Sequence, residues 1–145
     1  MSRKIILTLA VIIAFIVIHS VFAQRKNVKY ENVNVKEFAK IIKSTGVQLV
    51  DVRTMEEYAE GHLQDATQID VKGDDFLKIA KARLHKNKTI AVYCRSGKRS
   101  AHAATLLTEA GYKVVNMEGG FMAWTETFGV QAVDMPSAQS HQQGK

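Results

Sequence analysis

Three observations predict an α/β domain built on a largely parallel sheet. Apolar runs of strand length alternate with helical patterns across residues 30–128, the order that produces helices packed on a parallel sheet. Thr89 to Cys94 is the most continuously apolar of these runs and suits a central strand covered on both faces. Finally, Asp51, Arg53 and Cys94 fall at the carboxyl ends of predicted strands, where sites form in such sheets.

Taken in order, Tyr30–Val33 is a weak strand that leads into a strong helix start. Asn34 is its N-cap, Glu37 follows three residues later, and Val33 and Phe38 are placed as a hydrophobic staple. Val35, Phe38, Ala39 and Ile42 form the apolar face, and Gly46 is the expected stop. Val47–Val52 reads as a strand, Met55–Ala59 as a helical turn and Ala66–Val71 as a third strand of mixed pattern. Asp74 or Asp75 caps a helix reaching Leu84, with Phe76, Ile79, Ala80 and Leu84 inward. After Thr89–Cys94 comes a tight turn, then a helix from about Arg99 to Ala110 that Gly111 ends. Tyr112–Met117 is the last strand. Phe121, Trp124 and Phe128 then recur at helical spacing before Gly129.

The first 23 residues read as an export signal. Arg3 and Lys4 form a positive start, Ile5 to Ile18 is apolar except for Thr8, and Val21-Phe22-Ala23 suits cleavage after Ala23. The competing reading is an uncleaved anchor, since Ile5 to Ala23 approaches the roughly 20 residues a spanning helix needs. Either reading places the domain outside the cytoplasm, periplasmic or secreted if cleaved and membrane-anchored if not. Residues 24–29 form a polar, basic linker, residues 30–133 the domain, and the aperiodic polar residues 134–145 an expected disordered tail. The 122 residues after Ala23 suffice for one domain and not for two.

Charge is mild. The whole chain carries +6, from 20 Lys and Arg against 14 Asp and Glu, and cleavage would leave +4. With no basic stripe interleaved with aromatics, nucleic acid is not an expected partner. Among His62, His85, His102 and His141 no ligand spacing is found, so no metal is expected. A single cysteine cannot form an internal disulfide, and in an exported chain it is an inert core residue, an intermolecular partner or a working thiol.

Its surroundings favour the working thiol. In Cys94-Arg95-Ser96-Gly97-Lys98-Arg99-Ser100 a buried strand delivers the sulfur to a glycine-containing turn and a helix begins at once. Such a turn aims backbone N–H groups and the positive end of a helix at the sulfur. A thiol of ordinary pKa, about 8.5, is mostly protonated at neutral pH, and such surroundings lower it to about 3.5–7.5. Arg95, Lys98 and Arg99 add three cations, each of which has a plain reading as a solvated charge. Gly97 is best explained by backbone geometry. Ser100 reads either as part of the cradle or as a helix cap. Asp51 and Arg53 read as supports, an ion pair holding the wall of the site.

These residues, with Glu57-Tyr58, Glu60-Gly61-His62-Leu63, Glu118-Gly119-Gly120-Phe121 and Ala123-Trp124, resemble in order and spacing the rhodanese-like sulfurtransferase family, over about Tyr30 to Phe128. The resemblance implies a three-layer domain with a five-stranded, mainly parallel sheet flanked by helices. It also implies that Cys94 takes a sulfane sulfur from thiosulfate or a related small anionic donor, carries it as a persulfide, and yields it to cyanide or a thiol. Neither metal nor organic cofactor is implied.

Two rivals are set against this reading. Cysteine-dependent phosphatases and arsenate reductases use a similar cradle, but they need an arginine six positions after the cysteine, where Ser100 stands here. A non-catalytic binding module of the same fold commonly lacks the cysteine, which this chain has.

Overall fold

The computed structural model describes residues 3–23, 29–130 and 133–134, with residues 18–23 described as backbone alone. The expected tail beyond Asp134 and the expected linker up to Asn27 and Val28 lie outside the described residues. At the N-terminus, α1 (Arg3–Ala23) is one helix of 21 residues with exposed apolar side chains between Ile5 and Val17. Among the described residues, no helix is long and apolar enough to cross a membrane.

The domain consists of β1 (Glu31–Val33), α2 (Val35–Ile41), β2 (Val47–Asp51), α3 (Met55–Glu60), β3 (Thr67–Gln68), α4 (Phe76–Arg83), β4 (Thr89–Tyr93), α5 (Lys98–Glu109), β5 (Lys113–Met117) and α6 (Gly120–Phe128). One five-stranded sheet has the order β1-β5-β4-β2-β3, and every neighbouring pair is parallel. As its apolar sequence predicts, β4 is the central strand. The pairing of Asp51 with Tyr93 brings the ends of β2 and β4 level, so the segments after them open on the same edge of the sheet.

Alternation along β4 divides the interior into two cores, because successive strand residues face opposite ways. Ile90, Val92 and Cys94 pack with Phe76 and Ala80 of α4 and Ala103, Ala104 and Leu107 of α5. Ala91 and Tyr93 pack with Val35 and Phe38 of α2, Leu63, and Trp124 of α6. The thiol therefore belongs to the α4/α5 face and the neighbouring phenol to the α2/α6 face. This is a three-layer α/β sandwich.

Local signals place the helices with some shifts. The side chain of Asn34 accepts from Glu37 N–H (3.0 Å), as the cap signal predicts, but α2 ends at Ile41 and two further turn hydrogen bonds carry the chain to Ser44 before Gly46. Asp75 occupies the cap position of α4 without a side-chain cap hydrogen bond. Ile79, expected inward, is 40% exposed, because Phe76, Ala80 and Leu84 fill the buried stripe at intervals of four. The third strand is shorter than expected, with Thr67 and Gln68 alone in ladder register. Ile69 and Val71 still donate to Asp51 and Val52 carbonyls (2.9 and 3.2 Å) along a bending edge. Asp134, the first residue of the expected tail, is paired with His62 through two backbone hydrogen bonds (2.7 and 3.0 Å).

Candidate active site

Cys94 directly follows β4 and is completely buried. The turn after it reverses at Gly97, whose φ of 99° lies in the left-handed region that favours glycine. There the Gly97 N–H donates to Cys94 Sγ at 3.1 Å. Gly97 also occupies the N-cap position of α5 and has no side chain with which to cap it, so the first N–H groups of a 12-residue helix are left for the sulfur. Ser100 is therefore not the cap. It is buried in the first turn, where its hydroxyl, with one proton to give, lies 3.1 Å from Gly97 O and also within reach of the thiolate.

Burial is the largest single influence on the Cys94 thiol and pushes its pKa up. The Ser100 hydroxyl and the N–H groups of Ser100, Gly97 and Ser96 together outweigh it, and the net shift is downward from the ordinary thiol value. Hydrogen-bond donors lead this stabilisation. The cations that the sequence places in the turn are secondary to it.

The carbonyls of the loop are held from outside. Cys94 O accepts from Phe121 N–H (2.7 Å) and Arg95 O accepts from Met122 N–H (3.0 Å), so the start of α6 uses its free donors on the loop. With its carbonyls turned outward, the loop can present its own N–H groups inward. This approach is possible because Gly120, at φ 59°, has no side chain. A Cβ there would stand 2.5 Å from Cys94 O and 2.7 Å from Arg95.

Beside the loop stands a buried polar wall. Asp51 and Arg53 form an ion pair (2.6 Å), and Arg53 also donates to Gly61 O (2.7 Å) and lies over the Phe121 ring, 4.3 Å from its centroid. Tyr93 donates to Asp51 Oδ2 (2.7 Å) and accepts from Leu63 N–H (3.0 Å). Burial works to lower the Arg53 pKa, but hydrogen bonding and charge from Asp51 outweigh it and raise it. Burial and the Asp51 charge push the Tyr93 phenol far up, so it remains a neutral donor. The sequence places Asp51 and Arg53 together as a supporting pair, and the structure shows them so joined.

The loop cations are not equivalent. Arg99 is gripped by Glu57 through two hydrogen bonds, Nη1 to Oε2 (2.7 Å) and Nη2 to Oε1 (2.6 Å). Principally through Arg99, the Glu57 carboxyl is held down to about 2. Arg95, Ser96 and Lys98 are exposed. Arg95 borders a hollow of about 270 Å³ beside Arg53, Glu60, Phe121 and Met122. A second hollow, about 520 Å³, lies instead against Leu63, Trp124 and Phe128, and no residue of the loop lines it. Among the described residues, no group of three or more His, Cys, Asp or Glu could hold a metal ion.

Residues 94–100, Asp51 and Arg53 thus gather at one edge of the sheet. Sequence reasoning missed Glu57, Tyr93, Gly120 and Phe121 as parts of the site. A signal existed for Glu57, since Thr54-x-x-Glu57 is a capping box, and that box is present at the start of α3. Nothing local pointed from it to Arg99.

The fold and the loop define an α/β domain that cradles one thiol in main-chain donors at the end of its central strand. A family model for the rhodanese-like domain matches residues 34–127, and the chain belongs to that family. It is similar to a sulfurtransferase of Allochromatium vinosum, 39% identical over 79 residues that cover 54% of this chain and 71% of that one. It is also similar to thiosulfate sulfurtransferase PspE of Escherichia coli, 41% identical over 71 residues that cover 49% and 67%. A rhodanese-like domain protein from Staphylococcus aureus superposes with a TM-score of 0.63 at 31% identity, covering 74% of this chain and 99% of that one.

Proposed function

We propose that this protein is a sulfurtransferase in which Cys94 takes a sulfane sulfur from thiosulfate or a related anionic donor and passes it to cyanide or a thiol. The observation that carries this reading is the buried Cys94 sulfur at the uncapped start of α5, where the Gly97 N–H donates to it at 3.1 Å.

In the first half-reaction the thiolate attacks the outer sulfur of thiosulfate. A new S–S bond forms at Cys94, the donor's S–S bond breaks, and sulfite departs with the electron pair. The cradle then holds the negative outer sulfur of the persulfide in place of the thiolate. In the second half-reaction the acceptor attacks that sulfur, and Cys94 leaves as the thiolate. Cyanide becomes thiocyanate, or an acceptor thiolate becomes a persulfide. Two separate displacements on one nucleophile give ping-pong kinetics. Exposed Arg95 and Lys98 supply positive charge at the mouth for an anionic donor.

Phosphate-ester or arsenate chemistry fits this cradle less well. Position 100, where an arginine would have to close the loop, is a buried serine, and Arg99 is tied to Glu57.

The test is to incubate the purified protein with thiosulfate and measure the mass of the Cys94 peptide. One added sulfur atom is expected, removable by cyanide, with no loading and no turnover in Cys94→Ser; turnover in that variant would refute the reading. We also propose that the protein works outside the cytoplasm, on the sequence of residues 1–23. Intact mass of the protein recovered from the exported fraction decides between cleavage before Gln24 and a retained anchor.

A further inference from the structure

Glu57 is an acid in a site whose expected guests are anions, which makes it the feature most in need of a role. Its carboxylate is fully engaged. Oε2 accepts from Arg99 (2.7 Å) and from the Thr54 N–H (3.2 Å) and hydroxyl (3.3 Å), while Oε1 accepts the second Arg99 bond (2.6 Å). Thr54 in turn caps α3 through the Glu57 N–H (3.3 Å), so α3 presents the acid already oriented. The partner it holds belongs to the thiol loop, and Arg99 is close enough to Cys94 and Asp70 to feel their charge. A planar guanidinium satisfied on two nitrogens by one carboxylate keeps its charge, but that charge is balanced and its best bidentate face is occupied.

We propose that Glu57 is a positioning and selectivity residue: its two-bond clamp on Arg99 removes that cation from the anion site, so that the cradle recognises the terminal sulfur through main-chain donors and discriminates against compact tetrahedral oxyanions such as sulfate and phosphate. Without the clamp, Arg99 would stand beside the thiol as an uncompensated cation and present the fork that a tetrahedral oxyanion binds. Of the loop cations, exposed Arg95 and Lys98 remain to attract a donor at the mouth, which gives attraction without a deep oxyanion seat. This inference rests on the sulfur-transfer reading for its biological sense. Its physical content, the state of Arg99, is testable without turnover.

The experiment uses the full chain and two readouts, the pH dependence of Cys94 alkylation by iodoacetamide and the protection of that thiol by inorganic sulfate. In Glu57→Gln the thiol pKa is expected to fall by about one unit, because an unneutralised guanidinium favours the thiolate. Sulfate is expected to protect at roughly tenfold lower concentration. In Glu57→Gln/Arg99→Gln, an amide pair replacing the ion pair, both values return close to those of the parent. An unchanged thiol pKa and unchanged sulfate protection in the single variant would overturn the proposal, as would a raised thiol pKa in the double variant, which would show Arg99 acting directly on the thiol. Should Glu57→Gln fail to fold, Glu57→Asp, whose shorter side chain loosens the two-bond grip on Arg99, takes its place with the same expected and overturning results. A protein that behaves as expected here but never loads sulfur would remove the proposed function and leave the charge-setting role of Glu57 intact.

Discussion

Two neighbouring segments leave the same edge of the sheet and are built on opposite plans. At the end of β2, Asp51 and Arg53 close a polar cluster on themselves with Tyr93 of β4, both charges buried and paired. After β4, the loop from Cys94 to Ser100 directs its donors at one sulfur, and from there at whatever that sulfur carries. The wall is satisfied without a guest, whereas the cradle has donors to offer one. Charge is therefore used for architecture at the first segment and hydrogen-bond donors for chemistry at the second.

Breaking the wall is expected to cost stability first. Asp51→Ala leaves the Arg53 guanidinium buried without its partner, a change that typically costs about 3–5 kcal/mol. Urea unfolding should show a loss of that size, while protein that remains folded at low urea still loads sulfur. A loss below about 1 kcal/mol would mean that Arg53 finds solvent and that the wall is not a closed unit.

An intermediate effect is expected where wall and loop meet. Gly120→Ala puts a methyl group where the Cys94 and Arg95 carbonyls stand and forces a positive φ on a residue with a Cβ. A cost of about 1–3 kcal/mol in stability is expected. Sulfur loading should fall further than that cost explains, because the loop carbonyls would have to move. Equal loading rates in parent and variant would show that the loop holds its own shape.

The smallest change is confined to the cradle. Ser100→Ala removes the hydroxyl that leads the stabilisation of the thiolate, so the alkylation midpoint should move about one pH unit towards alkaline, with folding stability altered little. The sign follows from the lowered thiol pKa of the parent. Its thiolate is present above that lowered value and is lost as pH falls through it, and the variant loses it at higher pH. An unmoved midpoint would leave the N–H groups as the whole cradle.

What was legible in the sequence follows the same division. The cradle is contiguous, so Cys94 to Ser100 could be read from seven consecutive letters together with the strand before and the helix after. Asp51 and Arg53 are two residues apart and were readable as a pair. Strand alternation carried the parallel sheet and the central place of β4. The remainder depends on contacts that no local pattern encodes. Glu57 meets Arg99 and Tyr93 meets Asp51 across 42 residues each, and the Gly120 backbone meets Cys94 because two strands happen to be neighbours. Where local rules did misplace something, as with Ile79 and the third strand, a stripe already filled or an edge free to bend had settled the matter.

The attachment of α6 to the loop carries a consequence for the order in which the protein becomes competent. Cys94 is made well before the backbone that seats it, since the donors of Phe121 and Met122 come more than twenty residues later. A nascent or truncated chain ending short of Gly119 contains the nucleophile but lacks the brace that sets its environment. The brace on the Cys94 and Arg95 carbonyls is thereby the last part of the site to be synthesised, which couples the seating of the nucleophile to completion of the domain.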